Sequence, residues 1–281
     1  MITRRDLNRL IAAGAAGLTA GGIPLAGTAA PAAGASLERI RASGKLRIGG
    51  VADGAPYYKK DLLGGKWRGF YIDICQALAD DLGVRLDIAE TTWGNSVLDL
   101  QTNKIDVFFG LNPTPERQAV IDFSGPVFKN AFTFITRKGF EPKTWEDLNK
   151  PEVRIAVDIG SSHDAAVTRH LPKATITRLK HASDATVALQ SGRVDAQCLV
   201  LVLSLTVLKA NPAIGTLIVP TPVDATTSNA GFRREEETSW RDFVTKWIED
   251  RRASGFIHKA VVSNMELVGV SEADLPPGIS L

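Results

Sequence analysis

The stretch Thr114-Pro115-Glu116-Arg117 carries a charge that its local structure does not ask for. Thr114 suits an N-cap, and Pro115 suits the first helical position, where a missing N–H costs nothing. Glu116 complements the positive end of the helix dipole, but Arg117 in the same turn opposes it. Such a cation is either a solvated surface arginine or a group placed to meet an incoming anion. A second candidate is Gly160-Ser161-Ser162-His163-Asp164, whose residue types invite a hydrolase reading with Ser161 or Ser162 as nucleophile. Adjacent residues at a helix start do not face one another, which argues against a triad. The chain has no G-x-S-x-G, H-E-x-x-H, P-loop or Cys-x-x-Cys motif. His163, His170, His181 and His258 show no metal-ligand spacing and read as surface residues, so neither metal nor cofactor is expected. Cys75 and Cys198 are far apart and read as small core residues.

The elements that must position these groups alternate between strand and helix from Lys45 onward, which predicts an α/β fold. KLRIGGV reads as a strand, and FYIDICQALADDLG as an amphipathic helix closed by Gly83, with Ile74, Leu78 and Leu82 at four-residue spacing. RLDIAET, a short helix NSVLDLQTN and the strand IDVFFGL lead into the Arg117 turn. After DFSGPVF the alternation restarts with a new strand, AFTFITR, then the capped turn TWEDL and the strand VRIAVDI. The helix SHDAAVTRHL, the strand ATITRL and a helix SDATVALQSG with Ser183 as N-cap follow. VDAQCLVL is a strand and SLTVLKANP a helix; TLIVP and NAGFRR are extended, and two helices close the chain. Two successive α/β units in 281 residues predict two lobes with a ligand cleft between them.

Composition is that of an ordinary globular protein, with 44% apolar and 23% charged residues. Residues 1–35 differ: a basic start with Arg4-Arg5, a Gly/Ala-rich apolar segment, then small residues between Ala26 and Ala35. This reads as a cleaved, twin-arginine-like signal peptide and predicts export to the periplasm. Its removal takes away a net +2, leaving a formally neutral chain without the basic footprint of a nucleic-acid binder.

The ordered segments KLRIGGVADGAPYY, GKWRGFYIDICQALADDLG, TTWGNSVLDLQTNKIDVFFG, TPERQAVIDFSGPVF, VRIAVDIGSS, ALQSGRVDAQ and NAGFRREEETSWRDFVTKWIEDRRASGFIHKAV together resemble extracytoplasmic solute-binding proteins of family 3. These serve ABC importers of polar amino acids. The resemblance implies a two-lobe, type II periplasmic-binding-protein-like fold with an interlobe cleft. Residues 36–127 and 229–281 would form lobe one and residues 128–228 lobe two, with crossing strands near 127–131 and 223–228. It implies a monomer that closes on a small carboxylate-bearing solute, an amino acid among the candidates, and delivers it to an ABC permease. Arg117 would grip the solute carboxylate, since a guanidinium fork offers two parallel charge-assisted hydrogen bonds. Ser161 and Ser162 would hold the same group from a helix start, while also serving as caps. Asn112 falls beside the ligand, Trp93 packs on it, and Tyr57, Tyr58 and Gly110 complete the wall.

Two departures bear on the solute. The aspartate that pairs with an amino acid's ammonium in relatives falls at Val200, and valine cannot neutralise a buried cation. Either another carboxylate serves, with Asp158 and Asp224 as candidates, or the solute lacks an α-ammonium. The aromatic position before Ala55-Pro56 is Gly54, which reshapes the side-chain pocket. The competing readings are an enzyme on the same scaffold, such as a cyclohexadienyl (arogenate/prephenate) dehydratase, or a sensory accessory protein.

Overall fold

The computed structural model describes residues 36–276 apart from residue 62. The expected leader, residues 1–35, lies outside the described residues. Helix α1 (Ser36–Ser43) precedes strand β1 (Lys45–Val51), a small hairpin of β2 (Lys59–Lys60) and β3 (Trp67–Arg68), and helix α2 (Phe70–Leu82). Phe70, Ile74 and Leu78 of α2 are fully buried, each contributing about 1.5–3 kcal/mol of transfer free energy. Gly83 ends α2 in the left-handed conformation, and the Val84 N–H reaches back to the Ala79 carbonyl. Strand β4 (Arg85–Thr91) pairs parallel with β1, and β5 (Phe108–Leu111) follows α3 (Ser96–Gln101). The single turn α4 (Pro115–Gln118) leads into β6 (Ile121–Thr136).

The second half repeats the pattern: α5 (Trp145–Leu148), β7 (Arg154–Asp158), α6 (Ser162–His170), β8 (Thr175–Leu179), α7 (Ala182–Gln190) and β9 (Ala196–Val200). Then come α8 (Leu201–Ala210), β10 (Thr216–Ile218), β11 (Ala225–Arg233), α9 (Ser239–Ala253) and α10 (Phe256–Leu267). The order β5-β11-β6-β9-β7-β8, with β10 also on β6, makes one continuous seven-stranded sheet. Helices α9 and α10 return to the first half, where α10 packs on α2 and α9 on β6. The fold is α/β with two lobes, as expected. Among the described residues no helix is long and apolar enough to cross a membrane.

Three local expectations change. DFSGPVF and AFTFITR are not separate segments but one 16-residue strand, β6. Gly125-Pro126 looks like a break because proline cannot donate to a ladder. The partner strand absorbs the defect through register shifts around Asn229, while Ser124 Oγ accepts from the Ala230 N–H at 2.9 Å. Asn229 Nδ2 also donates to the Ser124 carbonyl at 2.8 Å. The N-cap of α7 is His181 rather than Ser183, whose N–H is instead taken by the Asp53 carboxylate at 3.2 Å. His163, expected at the surface, is 3% exposed. Cys75 and Cys198 are buried and free, in keeping with a packing role.

The second half is tied together by Asp195, just before β9. Its carboxylate accepts from Arg137 Nε at 2.9 Å and from the Arg154 backbone N–H, Nε and Nη2 at 3.0, 3.0 and 2.9 Å. The Arg154 hydrogen bonds, joined by those from Arg137, hold the Asp195 pKa well below the usual carboxylate range despite partial burial. Asp195→Ala is expected to cost about 2 kcal/mol at pH 7, the worth of a charge-assisted cluster that removes one partner from several donors. Because the folded pKa is depressed, this stabilisation is present above the unfolded value of about 4 and fades as pH falls below it. Denaturant titrations of both proteins at pH 7 and pH 3 should therefore show a gap that narrows in acid; a constant gap would refute the assignment.

Candidate functional site

Between the lobes, Tyr57, Trp93, Gly110, Asn112, Arg117, Ser161, Ser162, His163, Val200, Leu203 and Ser228 line one cavity of ≈ 10 Å³. That is close to the least room that holds a single water. Of the residues that the sequence places at the cleft, Gly54, Tyr58, Asp158 and Asp224 are missing from this wall.

Arg117 reaches the cavity because α4 is anchored as its sequence suggests. Thr114 is the N-cap and accepts from the Arg117 N–H at 3.4 Å, with Pro115 at the first helical position. The side chain is not solvated: Arg117 is 6% exposed. Its guanidinium donates only to carbonyls, those of Asn112, Trp93 and Gly160, each at 3.3 Å. Among the described residues it makes no ion pair. Burial pulls its pKa down to about 10, against the opposing pull of Asp158 and Glu116. A desolvated cation held by three long hydrogen bonds is a costly arrangement without a counter-charge.

Opposite Arg117, α6 presents its first turn. Ser161 is the N-cap, accepting from the Asp164 N–H at 3.1 Å, and Ser162 Oγ donates to Asn112 Oδ1 at 2.7 Å. The latter bond and the Arg117–Gly160 contact link the first and second halves of the chain directly. The two halves also touch through backbone, since a Cβ on Gly94 would lie 2.6 Å from the Ile159 carbonyl oxygen. Gly160, at φ 71, takes the left-handed conformation that this approach needs. Asn112 is fixed from its other end by Nδ2 donating to the Thr227 carbonyl at 2.9 Å.

Aromatic rings make the far wall. Trp93 meets Tyr57 edge-on at 5.9 Å and Phe108 at 5.7 Å. Tyr58 sits behind them, its hydroxyl donating to the Phe109 carbonyl at 2.8 Å. Gly110, at φ 95, leaves space for Trp93, which a Cβ there would meet at 3.2 Å. Gly54 also lies against Trp93 and borders a separate apolar groove of ≈ 380 Å³ with Leu203 and Val207. Val200 lines the cavity as counted from the sequence, at the junction of β9 and α8.

The two carboxylates considered as ammonium partners are both engaged elsewhere. Asp224 pairs with Arg169 at 2.8 Å and His170 at 2.9 Å, away from the cavity. Asp158 lies buried beneath the wall with Oδ1 2.9 Å from His163 Nδ1. Burial works against the Asp158 carboxylate, yet His163, its own backbone N–H and Ser161 outweigh it and hold the pKa low. The serine triad suggested by the 160–164 segment does not form: Asp164 pairs with Arg178 at 2.8 Å instead of His163. Among the described residues no group of three or more His, Cys, Asp or Glu side chains could hold a metal. Leu203, Ser228 and His163 were not foreseen at the site. Ser228, hydrogen-bonded to Tyr71 at 2.5 Å, comes from a crossing strand more than a hundred residues beyond Arg117.

Comparison with known proteins agrees with this fold. The model of the bacterial extracellular solute-binding proteins, family 3, matches residues 46–263. The sequence is 27% identical to a cyclohexadienyl dehydratase of Pseudomonas aeruginosa over 228 residues, 79% of this chain and 83% of that protein. It is 25% identical to the arginine-binding extracellular protein ArtP of Bacillus subtilis over 223 residues, 76% of this chain and 84% of that protein. Among solved structures, the ancestral amino acid-binding protein AncCDT-1, a precursor of cyclohexadienyl dehydratase, superposes with a TM-score of 0.72. That likeness has 31% identity and covers 80% of this chain and 97% of the ancestral one. A two-lobe fold, a cleft wall contributed by both lobes and a match across most of the length lead to one assignment: the chain belongs to the bacterial extracellular solute-binding proteins, family 3.

Proposed function

We propose that the protein is the periplasmic solute receptor of an ABC importer, closing on a small carboxylate and presenting it to a membrane permease. One observation carries the reading. Arg117 is a buried cation at the cavity wall with no counter-ion among the described residues. A solute carboxylate would supply the missing charge and convert an electrostatic cost into a grip. The lobes would comprise residues 36–127 with 229–281, and 128–228, so that contacts from both sides bias the closure equilibrium toward the bound form.

An amino acid is the solute that the names of most relatives suggest, ArtP among them. Val200, and a cavity wall that among the described residues holds no aspartate or glutamate, favour a carboxylate without an α-ammonium. A thermal-shift screen of L-amino acids beside amine-free carboxylates tests this. Stabilisation by the amine-free group is expected, and a clear shift with an ordinary L-amino acid alone would overturn it.

The dehydratase relative supports a second reading, an enzyme on the same scaffold. Mass spectrometry of the bound compound after incubation separates the two. A receptor returns it unchanged, whereas loss of a water from it would establish catalysis.

A further inference from the structure

Carboxylate binding by Arg117 leaves the buried Asp158–His163 pair at the same cavity without a task. We propose that His163, held in place by Asp158, is the second recognition group of the cavity. It would accept at Nε2 from the hydroxyl of a 2-hydroxy carboxylate. The inference rests on the reading of the cleft as a carboxylate receptor and names the class of solute it takes.

Geometry supplies the first support. Asp158 Oδ1 stands 2.9 Å from His163 Nδ1, which fixes the ring orientation and leaves Nε2 as the outward nitrogen. Phe132 meets the imidazole edge-on at 6.3 Å and braces it. Among the described residues Nε2 has no hydrogen-bond partner. It is not sealed in either, because among the described residues the one enclosed side-chain polar atom without a partner is Trp93 Nε1. His163 lines the cavity, so that is where its free nitrogen finds a partner.

The chemistry of the wall supplies the second. Tyr57 OH accepts from Asn130 Nδ2 at 2.7 Å, and burial pushes its pKa up, so it keeps its proton to donate. The Asn112 carbonyl oxygen is already taken by Ser162, and its amide donates to Thr227. With Arg117 and the orphaned Trp93 Nε1 added, donors dominate the cavity. A hydroxyl, which accepts from these donors and donates to His163 Nε2, fits such a lining, whereas an ammonium, itself only a donor, does not.

Charge supplies the third. Around the pair stand Arg117 on α4, Cys198 on β9, Tyr57, and on α6 itself Asp164, which Arg178 engages. Arg117 would be taken up by the solute carboxylate, while Asp158 and Asp164 are already engaged, so an ammonium would find no free carboxylate among these groups. A hydroxyl brings no charge to balance.

Four three-carbon acids that differ only at C2 test the proposal by calorimetry: lactate, pyruvate, alanine and propionate. Lactate is expected to bind at least about tenfold more tightly than pyruvate, alanine or propionate. In His163→Asn, whose shorter amide can still donate to Asp158 and so protect the fold, the favoured acid should drop to the propionate level. In His163→Gln, whose amide reaches the Nε2 position, part of the preference should return. Arg117→Ala should abolish binding of all four. If the native protein binds these acids through Arg117 without preferring lactate, or if His163→Asn keeps the preference, the role of His163 falls and the carboxylate receptor stands. If no carboxylate binds at all, both fall together.

Discussion

Arg117→Ala is expected to weaken solute binding by about two orders of magnitude or more, equivalent to roughly 2.7 kcal/mol. The size of the effect follows from what the side chain lacks in the protein alone. Its three hydrogen bonds, all at 3.3 Å and all to neutral carbonyls, leave the buried charge undercompensated. The proposed solute carboxylate would therefore meet a donor fork whose desolvation is already complete, and a charge-assisted pair formed there would retain most of its strength. The same reasoning predicts a dissociation between stability and function. Arg117→Met, which fills the space with an uncharged side chain, should raise the melting temperature without solute while still abolishing binding. Calorimetry and thermal melts of the two variants check both halves. Affinity unchanged in Arg117→Ala would remove the guanidinium from the site, and a large loss of stability in Arg117→Met would show that the cation is compensated within the protein.

Gly94→Ala is expected to lower affinity by at least about tenfold while leaving each lobe folded. The added Cβ would stand 2.6 Å from the Ile159 carbonyl oxygen and 3.4 Å from Gly160 Cα, both in the second half of the chain, which the proposed domain division puts in the other lobe. A backbone carbonyl in that position cannot swing aside as a side-chain terminus could. The backbone of Gly94 itself is ordinary, since its φ is not among the positive values. The penalty thus falls on the closed arrangement and hardly at all on an open one, which shifts the equilibrium away from binding. Small-angle scattering with saturating solute should show a more open variant, with denaturation midpoints without solute close to those of the parent. Full affinity in Gly94→Ala would mean that the two glycine backbones need not approach for the solute to be held.

How much of the fold and site is legible in the sequence depends on the distance over which each residue acts. Arg117 stands out because a cation, a proline and a cap within one turn form a local contradiction, and burial of the guanidinium resolves it. Ser161 is legible as a cap for the same reason, and the cap is the role its hydroxyl fills. Val200 is reached by counting along a motif whose strand-to-helix geometry keeps its length. His163 escapes such reading because its partner is not the neighbouring Asp164 but Asp158, at the end of β7. The tight turn through Gly160 folds that strand end back beside the first turn of α6. Ser228 and Leu203 reach the cavity on elements brought there by the sheet, and no local pattern announces such convergence. Strand β6 reads as two pieces because Gly125-Pro126 has the form of a breaker, and only the irregular register of β11 shows how a ladder survives it.

That ladder has a mechanical consequence. Ile121–Ala131 of β6 and Ala225–Arg233 of β11 are joined side by side along the passage from one half to the other. Sliding one strand past its neighbour would break a row of hydrogen bonds together, whereas flexing the ribbon across its flat face breaks none. The connection would thus behave as a leaf spring, compliant in one direction and stiff in the others. In the closure proposed above, each stroke would bring the same atoms opposite one another, Asn112 to Ser162 and Gly94 to Gly160. Selectivity would then rest partly on the alignment that the spring enforces, as well as on the residues that touch the solute.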